Sequence, residues 1–354
     1  MTSSIDNLFG VRLLQARKRH AWSLRDLAAK LEGVVTATAL NKYEKGAMLP
    51  SASIVVALCE VLQTTEDFLA RPLTSRLGEV DFRKRSSLGK KEETSVRERT
   101  SDFFERYTEL EDLMGITERF VNPLAGTMIF ESKDVEAAAQ EVRNAWQMGT
   151  APISSVVGLL EERSILVHLL EAATGFDGFA GRAGQREVIA LNAIFPTDRR
   201  RFSALHELGH IVLKFAPERF TEKEREKLCH RFAGAMAVPE AAFREAFGRH
   251  RQHIALAELK KLKSIYGISC AAILSRAGTL GLLAESTLER IWASWSAAGY
   301  RKRDPGECPF DETPRRFDLM LWRAIAENRI SRDKASMLAG MSEAELREGL
   351  EIYP

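Results

Sequence analysis

The run RRRFSALHELGHIVLKF, residues 199–215, decides how this chain is read. At its centre stands His206-Glu207-Leu208-Gly209-His210. On a helix, positions four apart share a face, so both imidazoles can bind one metal ion. Glu207 follows the first of them and can reach water on the same face as a general base. Phe202, Leu205, Ile211 and Val212 supply the apolar surface that buries the rest of a helix running from about residue 200 to 215.

This is the HExxH arrangement of zinc hydrolases, so Zn2+, one per chain, is the expected cofactor. Such a site takes a third protein ligand and keeps a fourth position open. The next helix supplies candidates. Thr221 and Glu224 form a capping-box pattern that starts a helix near residue 222. Glu226, Cys229, His230 and Ala233 then share one face. Glu226 is the first choice for the third ligand, with Glu224 and His230 as competitors. His230 can equally stand behind the ligands or act as an acid near the substrate, and Cys229 reads as a core thiol. Zinc would activate water and polarise a scissile carbonyl, with Glu207 taking the proton.

Upstream, ILVHLL (165–170) and EVIALNAIF (187–195) are short β-like runs. The glycine-rich TGFDGFAGRAGQ between them (174–185) lacks phosphate-loop spacing and reads as turns only. EVIALNAIF is expected to offer an edge strand on which an extended peptide aligns. Residues 100–170 otherwise read as helical. Val135, Ala138, Val142 and Trp146 fall at helical spacing as a core face.

The N-terminal part has a different pattern. Residues 9–70 read as five short helices: Ser23 caps the second, Gly33 ends it, and a third runs from Thr36 to Gly46. Short helices with a tight connection between the second and third describe a helix-turn-helix. Its second helix would place Thr36, Ala37, Thr38, Asn41 and Lys42 in the major groove of double-stranded DNA. Thr38 and Asn41 suit base edges, Ala37 a thymine methyl, and Lys42 and Lys45 phosphates. Residues 71–100 are dense in charge, with eight basic residues from Arg76 to Arg99, and read as a solvated linker running into a helix. The Arg83-Lys84-Arg85 run within it is the support for an accessory phosphate contact.

A chain of 354 residues suits two or three domains. Lys plus Arg number 51 against 49 Asp plus Glu, so the chain is no polycation. Residues 1–75 carry nine basic and seven acidic groups, so the bulk attraction of this module for DNA is weak. No apolar run is long enough to span a membrane, and the N-terminus has no export signal, so a cytoplasmic, membrane-free protein is expected. Cys59, Cys229, Cys270 and Cys308 are scattered, which excludes a disulfide framework. Cys59 and Cys270 sit in apolar runs as inert thiols.

Two resemblances follow. Residues 9–70 resemble the XRE (lambda-repressor-like) helix-turn-helix through Ser23-Leu24-Arg25-Asp26-Leu27-Ala28, Leu40 to Gly46 and Leu49-Pro50-Ser51. Leu24 stands where that family usually carries a polar residue. Residues from about 120 to 245 resemble the ImmA/IrrE metallopeptidases. The carriers are Pro152-Ile153, Leu160-Glu161, Asp177-Gly178-Phe179, Arg201-Phe202, the HELGH, Phe232-Ala233 and Val238-Pro239, with Leu259-Lys260 and Tyr266 to Ser269 beyond. Where that family usually reads Glu-x-x-Ala-Asn, this chain has Glu226-Lys227-Leu228-Cys229-His230.

The resemblance implies a mainly α protein with a small β-sheet (α+β). A five-helix DNA-binding domain would occupy residues 1–75, a charged linker and connecting helix 76–118, a zincin-like peptidase domain 119–245 and a helical C-terminal region 246–354. It further implies a homodimer that cleaves a repressor- or antitoxin-like protein, as relatives do in stress or mobile-element regulation. The alternative is a DNA-binding regulator whose peptidase-like domain senses or binds protein without cleaving, and a third reading has the helical bundle recruit a protein substrate.

Overall fold

The computed structural model describes residues 7–72, 88–248, 251–341 and 343–349. The Arg83-Lys84-Arg85 run lies outside the described residues. Helices dominate, accompanied by one three-stranded mixed sheet, so the fold is α+β. The chain divides into two compact units. One runs to Glu118 and takes in Arg182–Gln185 and the stretch from Arg315 onward; the other holds Arg119–Gly181 and Arg186–Pro314.

The first unit opens with α1 (Leu8–Arg19), α2 (Leu24–Lys30), α3 (Ala37–Glu44), α4 (Ala52–Leu62) and α5 (Glu66–Ala70). Ser23 caps α2 in a full capping box with Asp26, and Thr36 caps α3 through Ala39 N–H at 3.2 Å. Leu13, Leu27, Leu40, Leu58 and Phe68 form a sealed apolar centre. The next helix, α6 (Lys90–Leu113), starts thirteen residues before the apolar run from Phe103. Charge density hides it in the sequence, because Val96 is the single large apolar residue of its first two turns. Ser95 and Thr100 complete the buried face, and the Ser95 hydroxyl donates to the Arg19 carbonyl of α1. Three further helices close this unit: α15 (Arg316–Ala326), α16 (Arg332–Ala339) and α17 (Glu343–Gly349). Phe317 packs on Tyr107 of α6 at 5.2 Å between ring centres.

The second unit contains α7 (Asp134–Ala145), α8 (Val156–Glu162), β1 (Leu166–Leu170), β2 (Gly178–Ala183), β3 (Arg186–Asn192) and α9 (Thr197–Val212). It continues with α10 (Glu222–Ala237), α11 (Glu240–Phe247), α12 (Leu256–Tyr266), α13 (Cys270–Thr279) and α14 (Glu285–Ala297). Val135, Ala138, Val142 and Trp146 are core, as their spacing predicts. Arg143 on the same helix is fully buried and donates to the carbonyls of Met236, Gly149 and Ala151 at 2.6–2.8 Å. Burial pulls its pKa down to about 10.

Two expectations about the sheet are corrected. The glycine-rich stretch is not turns alone, since β2 lies within it. A Cβ at Gly178 would stand 2.7 Å from the Ala190 carbonyl oxygen, so glycine marks a close backbone approach there, not a bend. The strand order is β1-β3-β2, with β1 and β3 parallel from Leu166↔Val188 to Leu170↔Asn192. EVIALN is therefore the central strand, paired on both sides, and it offers no edge. Its near-continuous burial is the physical counterpart of that position.

Candidate functional site

Helix α9 carries the histidines and its start is clamped from outside the helix. Asp198 in the first turn accepts from buried Lys263 at 2.7 Å, and Lys263 also reaches Asp304 at 2.9 Å. Burial lowers the Lys263 pKa, but the two carboxylates outweigh it and hold the ammonium above its usual value. One turn on, Arg201 is buried against Glu312, whose carboxylate also accepts from the N–H groups of Val156 and Val157 at the start of α8. These clamps leave the C-terminal half of α9 in a fixed rotation.

In that half, His206 Nε2 and His210 Nε2 lie 3.3 Å apart. Helix α10 crosses close by because residue 209 is glycine: a Cβ there would stand 3.2 Å from Phe232 Cδ1 and 3.4 Å from Cys229 Cα. The crossing sets Glu226 opposite the histidines, its two carboxylate oxygens 3.6 Å from His206 Nε2 and 3.6 Å from His210 Nε2. A tetrahedral ion with bonds of about 2.0–2.1 Å holds its ligand atoms about 3.3 Å apart. The measured separations fit that edge length, and two imidazoles with one carboxylate are a donor set of catalytic zinc sites. His206 is almost fully buried, while His210 and Glu226 keep about a quarter of their side-chain surface exposed, 28% and 22%. The exposed side is where a substrate would approach.

The competitors fall elsewhere. Glu224 is exposed and turned to its own N-cap, accepting from Thr221 N–H at 2.8 Å and from the Thr221 hydroxyl at 2.7 Å. Those bonds hold its carboxyl below the ordinary range. The His230 ring lies against His206, 4.1 Å between centres, and faces Phe202 at 5.8 Å. Phe202, expected in the core, is half-buried in this stack. Cys229 is buried, with its Sγ 3.8 Å from His210 Nδ1. Glu207 is buried, and its Cγ lies 3.7 Å from the point a Cβ at Gly178 would occupy. Gly178 thus makes room for β3, and Glu207 lies within ordinary contact distance of the same point.

Helix α3 of the first unit is built in the opposite sense. Leu40 and Tyr43 face the core, whereas Thr36, Thr38, Lys42 and Lys45 are exposed and Ala37 and Asn41 half-exposed. The Thr36 hydroxyl is occupied as the N-cap. A two-pronged bond from Arg17 of α1 to Glu44, at 2.6 and 2.7 Å, holds the helix end. A Cβ at Gly10 would stand 2.5 Å from the Tyr43 carbonyl, so α1 and α3 touch backbone to backbone. Leu24 is half-buried against the core of the bundle.

Among the described residues no helix is long and apolar enough to cross a membrane. Residues 13–69 match the helix-turn-helix family model, which supports a DNA-binding regulator. Residues 161–277 match the IrrE N-terminal-like domain, a metallopeptidase family. No curated protein matches the chain. The chain thus joins an XRE-type helix-turn-helix, residues 13–69, to an IrrE/ImmA-like peptidase-family domain, residues 161–277.

Proposed function

We propose that the chain is a cytoplasmic DNA-binding regulator whose second unit is a zinc-dependent endopeptidase acting on a repressor- or antitoxin-like protein. The observation that carries the reading is the convergence of His206 Nε2, His210 Nε2 and the Glu226 carboxylate beside buried Glu207. His206, His210 and Glu226 would hold Zn2+, which would supply Lewis-acid polarisation of a peptide carbonyl and a water more readily deprotonated at neutral pH. Glu207 takes the proton of the attacking water and hands it to the leaving amine. Its burial keeps that exchange away from bulk solvent. His210 and Glu226 are the partly exposed members of the set that would hold the ion, and Cys229 backs His210 through Nδ1.

On DNA, Thr38 and Asn41 read base edges, Ala37 meets a thymine methyl, and Lys42 and Lys45 contact phosphates, with Thr36 capping the helix. The near-balanced charge of the module favours a homodimer, since two specific contacts replace the bulk attraction that one module lacks. Residues 1–75 form the reader, 76–118 the connector, 119–245 the peptidase and 246–354 the helical remainder in this proposal.

Metal analysis of the purified chain is expected to find stoichiometric zinc, lost in His206→Ala and Glu226→Ala and retained in Glu207→Gln. Cleavage of a co-expressed repressor should stop in Glu207→Gln. Cleavage surviving that change would overturn the mechanism, and zinc without cleavage in the wild type would leave the non-cleaving sensor. A gel shift with the upstream DNA, weakened by Asn41→Ala and Lys42→Ala, tests the reader; no shift at low salt would overturn it.

A further inference from the structure

A cleft of about 1370 Å³ in the second unit is lined by Phe202 and His230, next to the candidate metal site. One wall is Phe202 of α9 with Lys227 and His230 of α10; His230 stacks on His206. The opposite wall is Trp292 and Trp295 of α14 with the following Tyr300 to Arg303. That wall lies beyond residue 277, where the match to the IrrE N-terminal-like domain ends.

The charges lining the cleft do not cancel. Lys263 is neutralised by Asp198 and Asp304, Arg276 and Arg231 by Glu136, and Arg199 by Asp177. Among the described residues, no carboxylate makes an ion pair with Arg301, Lys302, Arg303 or Lys227. Glu307 is the one lining carboxylate not already committed to Lys263. Arg301 is held over Trp292, 5.8 Å from its ring centre, and by the Ser296 hydroxyl. The rim therefore combines fixed aromatic faces with uncompensated cations.

We infer that this cleft takes an acidic segment of the protein substrate, the stretch that leads into the metal site. The inference rests on the peptidase reading above and adds a substrate class to it. The volume exceeds the roughly 300–1,000 Å³ of ordinary small-molecule pockets, as an extended peptide requires. His230 lines the cleft and its ring lies against His206, so an occupant on this side stands next to the candidate metal site. Carboxylates on that occupant meet Lys227 and Arg301–Arg303, and its apolar side chains lie on Trp292 and Tyr300.

The test uses the full zinc-loaded chain with Glu207→Gln to prevent turnover. Fluorescein-labelled acidic, neutral and basic peptides of equal length are titrated by anisotropy at low salt. The acidic peptide should bind about tenfold more tightly than the neutral one, and Arg301→Glu with Arg303→Glu should erase the difference. Arg301→Lys with Arg303→Lys should retain most of it. Both arginines are exposed, so unchanged zinc content and circular dichroism verify the fold of each variant. Equal binding of acidic and neutral peptides, or charge reversal without effect, would overturn the inference. So would displacement of the acidic peptide by ATP at concentrations far below those at which the peptide itself binds, which marks a small-anion site. Discrimination without any wild-type cleavage sinks the peptidase reading alone; cleavage with silent charge reversal sinks this inference alone.

Discussion

Helices α3 and α9 carry the groups proposed to act in their units, and they treat burial in opposite ways. In α3 the apolar Leu40 and Tyr43 are sunk in the core while Thr38, Lys42 and Lys45 project into solvent. In α9 the chemical groups themselves are sunk: His206 and Glu207 are 3% and 4% exposed. A surface reader needs only a helix held at the right angle, because its partner comes to it. A metal site needs a second helix at a set distance, because one helix presents two ligands and the third must arrive from elsewhere. Position matters in α3 as an angle and in α9 as a separation.

That contrast can be broken from either side. The largest effect is expected at the Arg17–Glu44 fork, whose side chains are 6% and 8% exposed. Arg17→Ala leaves a buried carboxylate without its partner and should cost about 3–5 kcal/mol in urea unfolding of the first unit. DNA binding should fall with it while zinc content stays unchanged. Gly209→Val is the counterpart in the second unit, pushing α10 away where a Cβ already meets Phe232 at 3.2 Å. Overpacking of about 1–3 kcal/mol is expected, with zinc lost and the DNA gel shift retained. If both variants lose both functions together, the contrast between the two helices fails.

Smaller effects sharpen it. Thr36→Ala removes the N-cap of α3 at a cost of about 1 kcal/mol, read as a modest fall in the melting temperature of the reader. Acid should act on the first unit through Asp102 of α6. Burial raises its pKa, but Arg19, Arg106 and Arg71 outweigh that and hold it below the ordinary value of about 3.9. A carboxylate with a depressed folded pKa stabilises fully above its unfolded pKa and loses that contribution as pH falls through the folded one. The stability gap between wild type and Asp102→Asn should therefore be constant near pH 6 and close below about pH 4. Glu105 is held above its usual range chiefly by burial and also by Asp102, so Asp102→Asn should bring its carboxyl down, a smaller change in the same comparison. Finally, burial pushes the Cys270 thiol up to about 12, so iodoacetamide at pH 8 should leave Cys270 unmodified in the folded chain.

Several features were readable along the chain because they depend on near neighbours. Three of the five N-terminal helices carry their own side-chain caps, with Ser23, Thr36 and Thr65 acting within three residues. His206 and His210 share a face by helical spacing alone, and Thr221 with Glu224 announced α10 in the same way. The misreadings share a cause. Strand β2 was hidden because Gly178 answers to the Ala190 carbonyl of the neighbouring strand, not to its own neighbours along the chain. The centrality of β3 was hidden because pairing on its second side comes from β1, which precedes it by two connections. Helix α6 began early because its buried face is matched to α1, not to its own charge pattern.

By itself, then, the sequence determined the helix-turn-helix, the HExxH pair and the short list from which a third ligand could come. Those are properties of residues within one or two turns of each other, where helical geometry sets position. Only the tertiary structure selected Glu226 over Glu224 and His230 as the group facing both histidines. It also gathered α14 and the Arg301–Arg303 rim beside them, and packed the helices after Arg315 with α6. Such choices depend on how closely two helices approach, and at Gly209 that approach is decided by a missing side chain whose partners lie 20 to 23 positions away.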